Sequence, residues 1–423
     1  MTRARALAAA VACVAALHAR DVVAAPAEIR YDEDGLVRYA LANSPDLRVL
    51  RSQQDIATAE ARTAAEIGNP TARGEWLHVQ SAQEYGWGVG LQWTPPRPGV
   101  YGNHKDAASA RARAVKEDYA EARADLEARV RSCFSDVSAL GEEIALAEQS
   151  IETRRKLKQA MQERVEHGAA TRIELSLVTV SLARGEQERD LLVLSRASAV
   201  ADLGSLAGLP PGTALEIDSK ASLDEAPPRE DPARSAEEPE VDSALSARPV
   251  IQADTARALA ADANLATERA RRWPWLTVEG RYRHHDQSNY PDDVTLGVEV
   301  TLPILNQNGG AVDAAAAQKR QQADLAALHR YQIARDVRVL RAEKARRSEL
   351  SRHYAEAIAP VLRTHAELVR QALAGMEVDL TAVLAAEDMV TRGGIDYTEA
   401  RLAERKVEIA LSRAAGAYGR SGR

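Results

Sequence analysis

Residues 90–96 read "GLQWTPP" and residues 297–303 read "GVEVTLP". Each is a glycine, a short run of alternating apolar and polar residues, a threonine, and a proline that ends the run. Gly90 and Gly297 stand 207 positions apart. The match extends outward. Pro45 in "NSPDLRVL" answers Pro249 in "SARPVIQA", and Pro70 in "GNPTARGEW" answers Pro274 in "RWPWLTVEG", both pairs 204 apart. Downstream, Gly168 in "VEHGAATRIEL" answers Gly375 in "ALAGMEVDL", again at 207. Landmarks that keep their order and spacing mark a tandem duplication.

Each copy has the same grammar. Repeat 1 (26–209) holds a helix from Pro45, strands at about 71–79 and 87–95, and long helices over 103–166 and 171–207. Repeat 2 (250–423) holds a helix from Pro249, strands at about 275–284 and 294–302, and long helices over 311–373 and 378–418. Between them, residues 210–249 are crowded with proline and acidic residues and lack a periodic stripe, which predicts an exposed, partly disordered connector. No proline occurs between Pro98 and Pro210, and Val115, Tyr119, Ala122, Leu126, Val130, Cys133, Val137, Leu140 and Ile144 recur at helical spacing. A helix from Asn103 to Glu166 would be ~95 Å long at about 1.5 Å per residue, so it must lie along similar rods in a bundle. Pro360 predicts a bend in the second copy, and the adjacent Gly393 and Gly394 predict a kink.

Composition agrees with helix packing. The 423 residues are 45% hydrophobic but only 4% aromatic, with a single Phe. Net charge is −7 and no basic stripe is present, which argues against nucleic acid. No apolar run reaches the ~18 residues of a transmembrane helix. The opening "MTRARALAAAVACVAALHARDVVAAPA" has Arg3 and Arg5, an apolar run to Leu17 and small residues at Ala24, Ala25 and Ala27, which reads as a signal peptide over 1–25. Cys13 is a poor lipidation site. Cys133 is then the only cysteine of the mature chain, so no intrachain disulfide forms.

In the second copy Leu276, Val278 and Tyr282 alternate with Thr277, Glu279, Arg281 and Arg283. Val294, Leu296, Val298, Val300 and Leu302 alternate with Thr295, Gly297, Glu299 and Thr301. In the first copy Val89, Leu91 and Trp93 follow the same rule. Such ribbons have one apolar and one wet face. They form either a small sheet packed on helices or a share of a transmembrane β-barrel, where strands of about 9–11 residues alternate lipid-facing and lumen-facing side chains. All five tryptophans (Trp76, Trp87, Trp93, Trp273, Trp275) fall in the hairpins or at their edges. That placement fits an interfacial girdle and favours the barrel, with Leu91, Trp93, Val298, Val300 and Leu302 toward lipid. Four strands cannot close alone. Two chains would give eight and three would give twelve, so an oligomer is required.

A signal peptide, tandem helix–hairpin–long helix–glycine turn–long helix units, and "LPILNQNGGAVDAAAAQ" after the last strand resemble the TolC-type outer-membrane efflux proteins, nearest to the heavy-metal (cobalt–zinc–cadmium) resistance branch. The resemblance covers essentially the whole mature chain. It implies a mainly α fold with one β-hairpin per repeat: a homotrimer whose long α-hairpins form a periplasmic α-barrel and whose strands share a twelve-strand β-barrel in the outer-membrane lipid. It further implies an exit duct for metal ions or small toxic compounds, fed through a periplasmic adaptor by an inner-membrane pump of the RND type. Gly168 and Gly375 then fall at the periplasmic tips, and Glu174 matches an acidic residue six after the first tip glycine. At the second tip Ala382 and Ala385 stand where the family has acids, and Ala372 where it often has tyrosine. Glu377, Asp379, Glu387 or Asp388 are left to carry a gate charge there.

No P-loop, dinucleotide fingerprint, G-x-S-x-G or H-E-x-x-H motif appears, so the reading is of a non-enzyme without cofactor or catalytic residues. His284, His285 and Asp286 form the one metal-like cluster, but adjacent histidines on a strand point to opposite faces. The competing reading of the whole chain is a secreted periplasmic coiled-coil scaffold or adaptor without a pore.

Overall fold

A computed structural model describes residues 29–79, 84–210, 212–213, 215–217, 237–286, 291–375 and 380–418. The segment read as a signal peptide, and the acids Glu377 and Asp379, lie outside the described residues. In chain order come β1 (Ile29–Tyr31), α1 (Glu33–Asn43), α2 (Pro45–Thr63), β2 (Thr71–Val79), β3 (Glu84–Trp93), α3 (Val100–Glu166), α4 (Arg172–Ala207) and β4 (Leu215–Ile217). Then follow α5 (Glu237–Ala247), α6 (Pro249–Ala270), β5 (Trp275–His285), β6 (Asp293–Thr301), α7 (Gly309–His353), a π-helical turn (Tyr354–Ile358), α8 (Ala359–Gly375) and α9 (Leu380–Ala414).

Several of these elements depart from the sequence expectations. The stretch 210–249 holds β4, which pairs in parallel with β1, and α5, which buries Val241 and Ala244. Two buried positions one turn apart make too short a stripe to register against the surrounding acids and prolines. α5 precedes Pro249 as α1 precedes Pro45, each helix being 11 residues. β3 runs from Glu84 to Trp93, not 87–95, because Pro95 and Pro96 offer no N–H to a neighbouring strand. The run expected over 311–373 is interrupted: the Ala359 N–H bonds to the Tyr354 carbonyl, five residues back, just before Pro360. Proline lacks the donor that would continue the ladder, and the wide turn absorbs the defect.

Contacts divide the chain into two compact units. One comprises Met1–Pro45, Leu126–Arg234 and Ala342–Ala410. In it Glu33 of α1 accepts from Arg131 of α3 at 2.8 Å and from Arg405 of α9 at 3.3 Å, which fixes the short helix to two long ones. Gly393 and Gly394 do not interrupt α9, which is continuous through them. They are places of close approach instead. A Cβ on Gly393 would meet Leu362 Cδ1 at 2.4 Å, and one on Gly394 would meet Leu146 Cδ1 at 3.1 Å. Gly393→Ala is therefore expected to destabilise the fold by about 1–2 kcal/mol, overpacking outweighing the gain in helix propensity. In a Leu362→Ala background only the propensity gain of up to ~1 kcal/mol remains. Thermal melts of the four proteins in detergent read the change of sign.

The second unit comprises Asp46–Asp125, Ser235–Arg341 and Leu411–Arg423. Its helical part buries Val241, Ala244, Ile333, Val337 and Ala414 together. Arg248 and Arg413 both bind Glu121, and Arg413 reaches Asp125 at 2.6 Å. Burial opposes ionisation of Glu121, but the two guanidinium groups outweigh it and hold its carboxyl below the usual carboxylate range. The unit also carries one four-stranded antiparallel sheet in the order β2-β3-β5-β6.

Candidate functional site: a strand belt and a helical tip

The sheet register sorts its side chains into two faces. Trp76 pairs with Trp87, Val89 with Tyr282, Trp93 with Val278, and Val278 with Val298. One face therefore carries Trp76, Tyr85, Trp87, Val89, Leu91, Trp93, Leu276, Val278, Tyr282, Val294, Leu296, Val298 and Val300. The rest of the chain does not cover it: Leu296 is 85% exposed, Trp76 75% and Val298 66%. On β3, Trp87 and Trp93 bracket Val89 and Leu91. Six residues at about 3.3 Å each separate them by ~20 Å, near the ~25 Å height of an apolar barrel band.

Both ends of this band are pinned by polar groups. At the turn end the Trp87 ring lies 5.6 Å from the rings of Tyr282 and His284. The Tyr282 hydroxyl donates to Asp292 at 2.5 Å, and His284 Nδ1 lies 2.8 Å from Asp292 Oδ1. At the helix end the Trp93 indole N–H donates to the Gly68 carbonyl at 3.1 Å. On the opposite, polar face at that end, the Trp275 N–H donates to the Pro95 carbonyl at 2.8 Å, with the Arg97 guanidinium 5.8 Å from its ring. Amphipathic rings with wet tips and greasy bodies suit a bilayer boundary. β2 and β6 are the sheet's two edges and have no strand beyond them among the described residues.

The "LPILNQNGG" stretch makes the joint after β6. Asn308 takes a positive φ of 55°, and its side-chain amide donates to the Glu268 carbonyl at 2.9 Å and to the Glu268 carboxylate at 2.8 Å. Asn tolerates the left-handed region better than most residues. The asparagine thus ties the last strand to α6, a structural task.

The tip lies in the other unit. Gly168 has φ +70°, which a side chain would strain, and a Cβ there would meet nothing within 4 Å. Thr171 caps α4. Its hydroxyl oxygen accepts from the Glu174 N–H at 3.2 Å, and the Glu174 carboxylate accepts from the Thr171 N–H at 2.6 Å. This reciprocal box gives Glu174 a local job. Glu174→Gln is expected to keep the fold within about 0.5 kcal/mol, because the amide oxygen can still accept. Glu174→Ala is expected to cost ~0.5–2 kcal/mol. Urea titration of the folded protein separates the two.

Behind the tip, Leu157 and Met161 of α3 pack with Val178 of α4 and Leu380 and Val383 of α9. Next to them Arg154 is almost wholly buried. It donates to Glu387 at 3.4 Å, to Asp388 at 2.5 Å and to the Ser181 carbonyl at 2.9 Å, while Ser150 donates to Glu387 at 2.9 Å. One guanidinium thereby links α3, α4 and α9. Gly185 leaves room for it, since a Cβ there would stand 2.9 Å from Arg154 Nη1. Burial raises the pKa of Glu387 despite Arg154 and Ser150.

Residues 36–209 match the family model "Outer membrane efflux protein". The chain is similar to the outer membrane efflux protein family over that stretch, its first copy. Its fold is that of solved TolC-type channels. CusC, whose structures concern folding and transmembrane channel formation, superposes with a TM-score of 0.74 at 18% identity, over 91% of this chain and 92% of that one. The outer membrane protein VceC from Vibrio cholerae gives 0.73 at 18%, over 91% and 96%. The open-state MtrE outer membrane channel of Neisseria gonorrhoeae gives 0.73 at 18%, over 91% and 88%. Among curated protein sequences none matches.

Placed on this fold, the residues singled out in the sequence separate. Leu91, Trp93, Val298 and Val300 share the apolar face with Trp76 and Trp87; Leu302 falls one residue past β6 and is exposed. Trp273 lies before β5 and is 73% exposed. Trp275 departs from the expected girdle: it pairs with Thr301 on the polar face. His284 and His285 do not converge, the first meeting Asp292 and the second Asp293 at 3.3 Å. No group of three or more metal-ligating side chains occurs among the described residues. Sequence reasoning left Glu387 and Asp388 unranked and missed Arg154, whose burial beside Gly185 has no local signature.

Proposed function

We infer that this chain is one subunit of a homotrimeric outer-membrane exit duct. The uncovered apolar face, bounded by tryptophans and flanked by two open sheet edges, is the observation that carries this reading. Backbone edges are not tolerated in lipid, and three copies of the four-stranded sheet would close a twelve-strand barrel. The polar face then lines the bore and passes cargo without chemistry. The helices project into the periplasm, where Gly168 and Gly375 mark the tips that a periplasmic adaptor docks. An inner-membrane pump of the RND type delivers the cargo, metal ions or small toxic compounds. The tip is the gate, with Glu174 and Asp379 at its margin and the Arg154–Glu387–Asp388 cluster holding the helices closed.

Fractionation after expression with a cleaved signal tests this. A heat-labile trimer in outer membranes, trapped by chemical crosslinking, is expected; a periplasmic monomer that needs no detergent would overturn it. Export assays on a deletion strain, run with metal salts and with organic cations, separate the cargo classes.

A further inference from the structure

The polar face of the sheet is unusual at its centre. Three glycines of β3, Gly86, Gly88 and Gly90, lie on it in succession, and the first two are buried in a single chain. What lies over Gly88 and Gly90 comes from the neighbouring strands. Arg281 of β5 reaches across β3 to Glu75 of β2, Nε to Oε1 at 3.1 Å, and also binds Glu279 at 2.5 Å. Glu75 and Arg281 are not adjacent in the sheet: each pairs with a glycine of β3 between them, Glu75 with Gly88 and Arg281 with Gly90. The glycines make this crossing possible. A Cβ on Gly88 would come within 3.2 Å of Glu75 Cγ and 3.3 Å of the Tyr282 carbonyl.

We propose that this triad, laid flat over the glycine track, sets the charge that cargo meets in the bore, with Arg281 its specificity-determining residue. This rests on the exit-duct reading, in which the polar face lines the pore. Charges that stand upright project into the lumen. These lie along the wall, and Arg281 compensates two carboxylates at once. Removing Arg281 leaves Glu75 and Glu279 facing the lumen without their shared cation. The wall becomes more negative there, and cations are favoured further over anions of equal size.

The test reads local potential rather than conductance, so a closed tip does not mask it. In a Cys133→Ser background, Gln92→Cys places a thiol on the polar face beside Glu279, and Leu296→Cys places one on the apolar face. Cells are treated from outside with trimethylammonium-ethyl or sulfonatoethyl methanethiosulfonate. Fast labelling at position 92 and slow labelling at 296 are expected. Adding Arg281→Gln is expected to raise the cation-to-anion rate ratio at position 92 about four-fold. Equal labelling at both positions would overturn the exit-duct reading and this proposal with it. Selective labelling with an unmoved ratio would overturn this proposal alone. Independently, Gly88→Val is expected to lower the yield of assembled protein several-fold, and Glu75→Ala to restore it. Tolerance of Gly88→Val with Glu75 in place would remove the glycine track's role.

Discussion

Val298→Arg is expected to abolish the assembled form of this protein. Val298 sits opposite Val278 in the middle of the apolar face and is exposed in the single chain. An arginine at the midplane of a barrel's lipid face costs ~2–4 kcal/mol, and a homo-oligomer incurs that cost in every subunit. Whole-domain stabilities are only about 5–15 kcal/mol, so three such changes suffice to prevent closure. The helices need not unfold, because the substitution touches none of their packing. Heat-modifiable mobility on gels and outer-membrane recovery are the measurements. Full assembly of the variant would mean that the face looks onto water. Glu299→Arg, one residue on and on the opposite face, is the control and is expected to assemble.

The second large effect is at the tip. Removing one partner of a buried ion pair costs roughly 3–5 kcal/mol, because the other charge is left uncompensated. Arg154→Ala leaves Glu387 in that condition, close against the apolar cluster of Leu157, Met161 and Val178. The expected result is a loosened junction between α3 and α9, read as raised single-channel conductance and faster proteolysis near Gly168. Its pH dependence has a definite sign. Burial raises the pKa of Glu387 even with Arg154 present, and without Arg154 only burial and the like charge of Asp388 remain, which raise it further. A carboxyl with a raised folded pKa contributes stability below its unfolded value and loses it as pH rises through the folded one. The variant should therefore be loosest at alkaline pH and tighten on acidification, and adding Glu387→Gln to it, which removes the stranded charge, should abolish that pH dependence. Equal conductance of Arg154→Ala and the parent across that range would show that the cluster is not a latch.

The strands were legible because period-two alternation runs through whole stretches such as Val294 to Val300, and the helices because their stripes run for tens of residues. What stayed hidden depends on neighbours distant in the chain. β4 and α5 are short and gain their burial from partners elsewhere, β1 for the strand and Ile333 and Val337 for the helix. Gly393 and Gly394 look like a break in any one-dimensional reading, and only Leu362 and Leu146 explain them. Glu174, the acid that the sequence singled out, turned out to be tied into a helix cap, while Glu387 took the buried charge.

By itself the sequence determined the duplicated plan, the two hairpins with one greasy and one wet side, and the long rods. Each of these follows from spacing along the chain, and a periodic backbone converts spacing directly into faces. Only the tertiary structure decided which side chains meet across a strand or between helices. Arg281 finds Glu75 because the order of strands puts a row of glycines between them, and Arg154 finds Glu387 because three helices converge there. Such meetings are set by pairing between residues hundreds of positions apart, which no local pattern encodes.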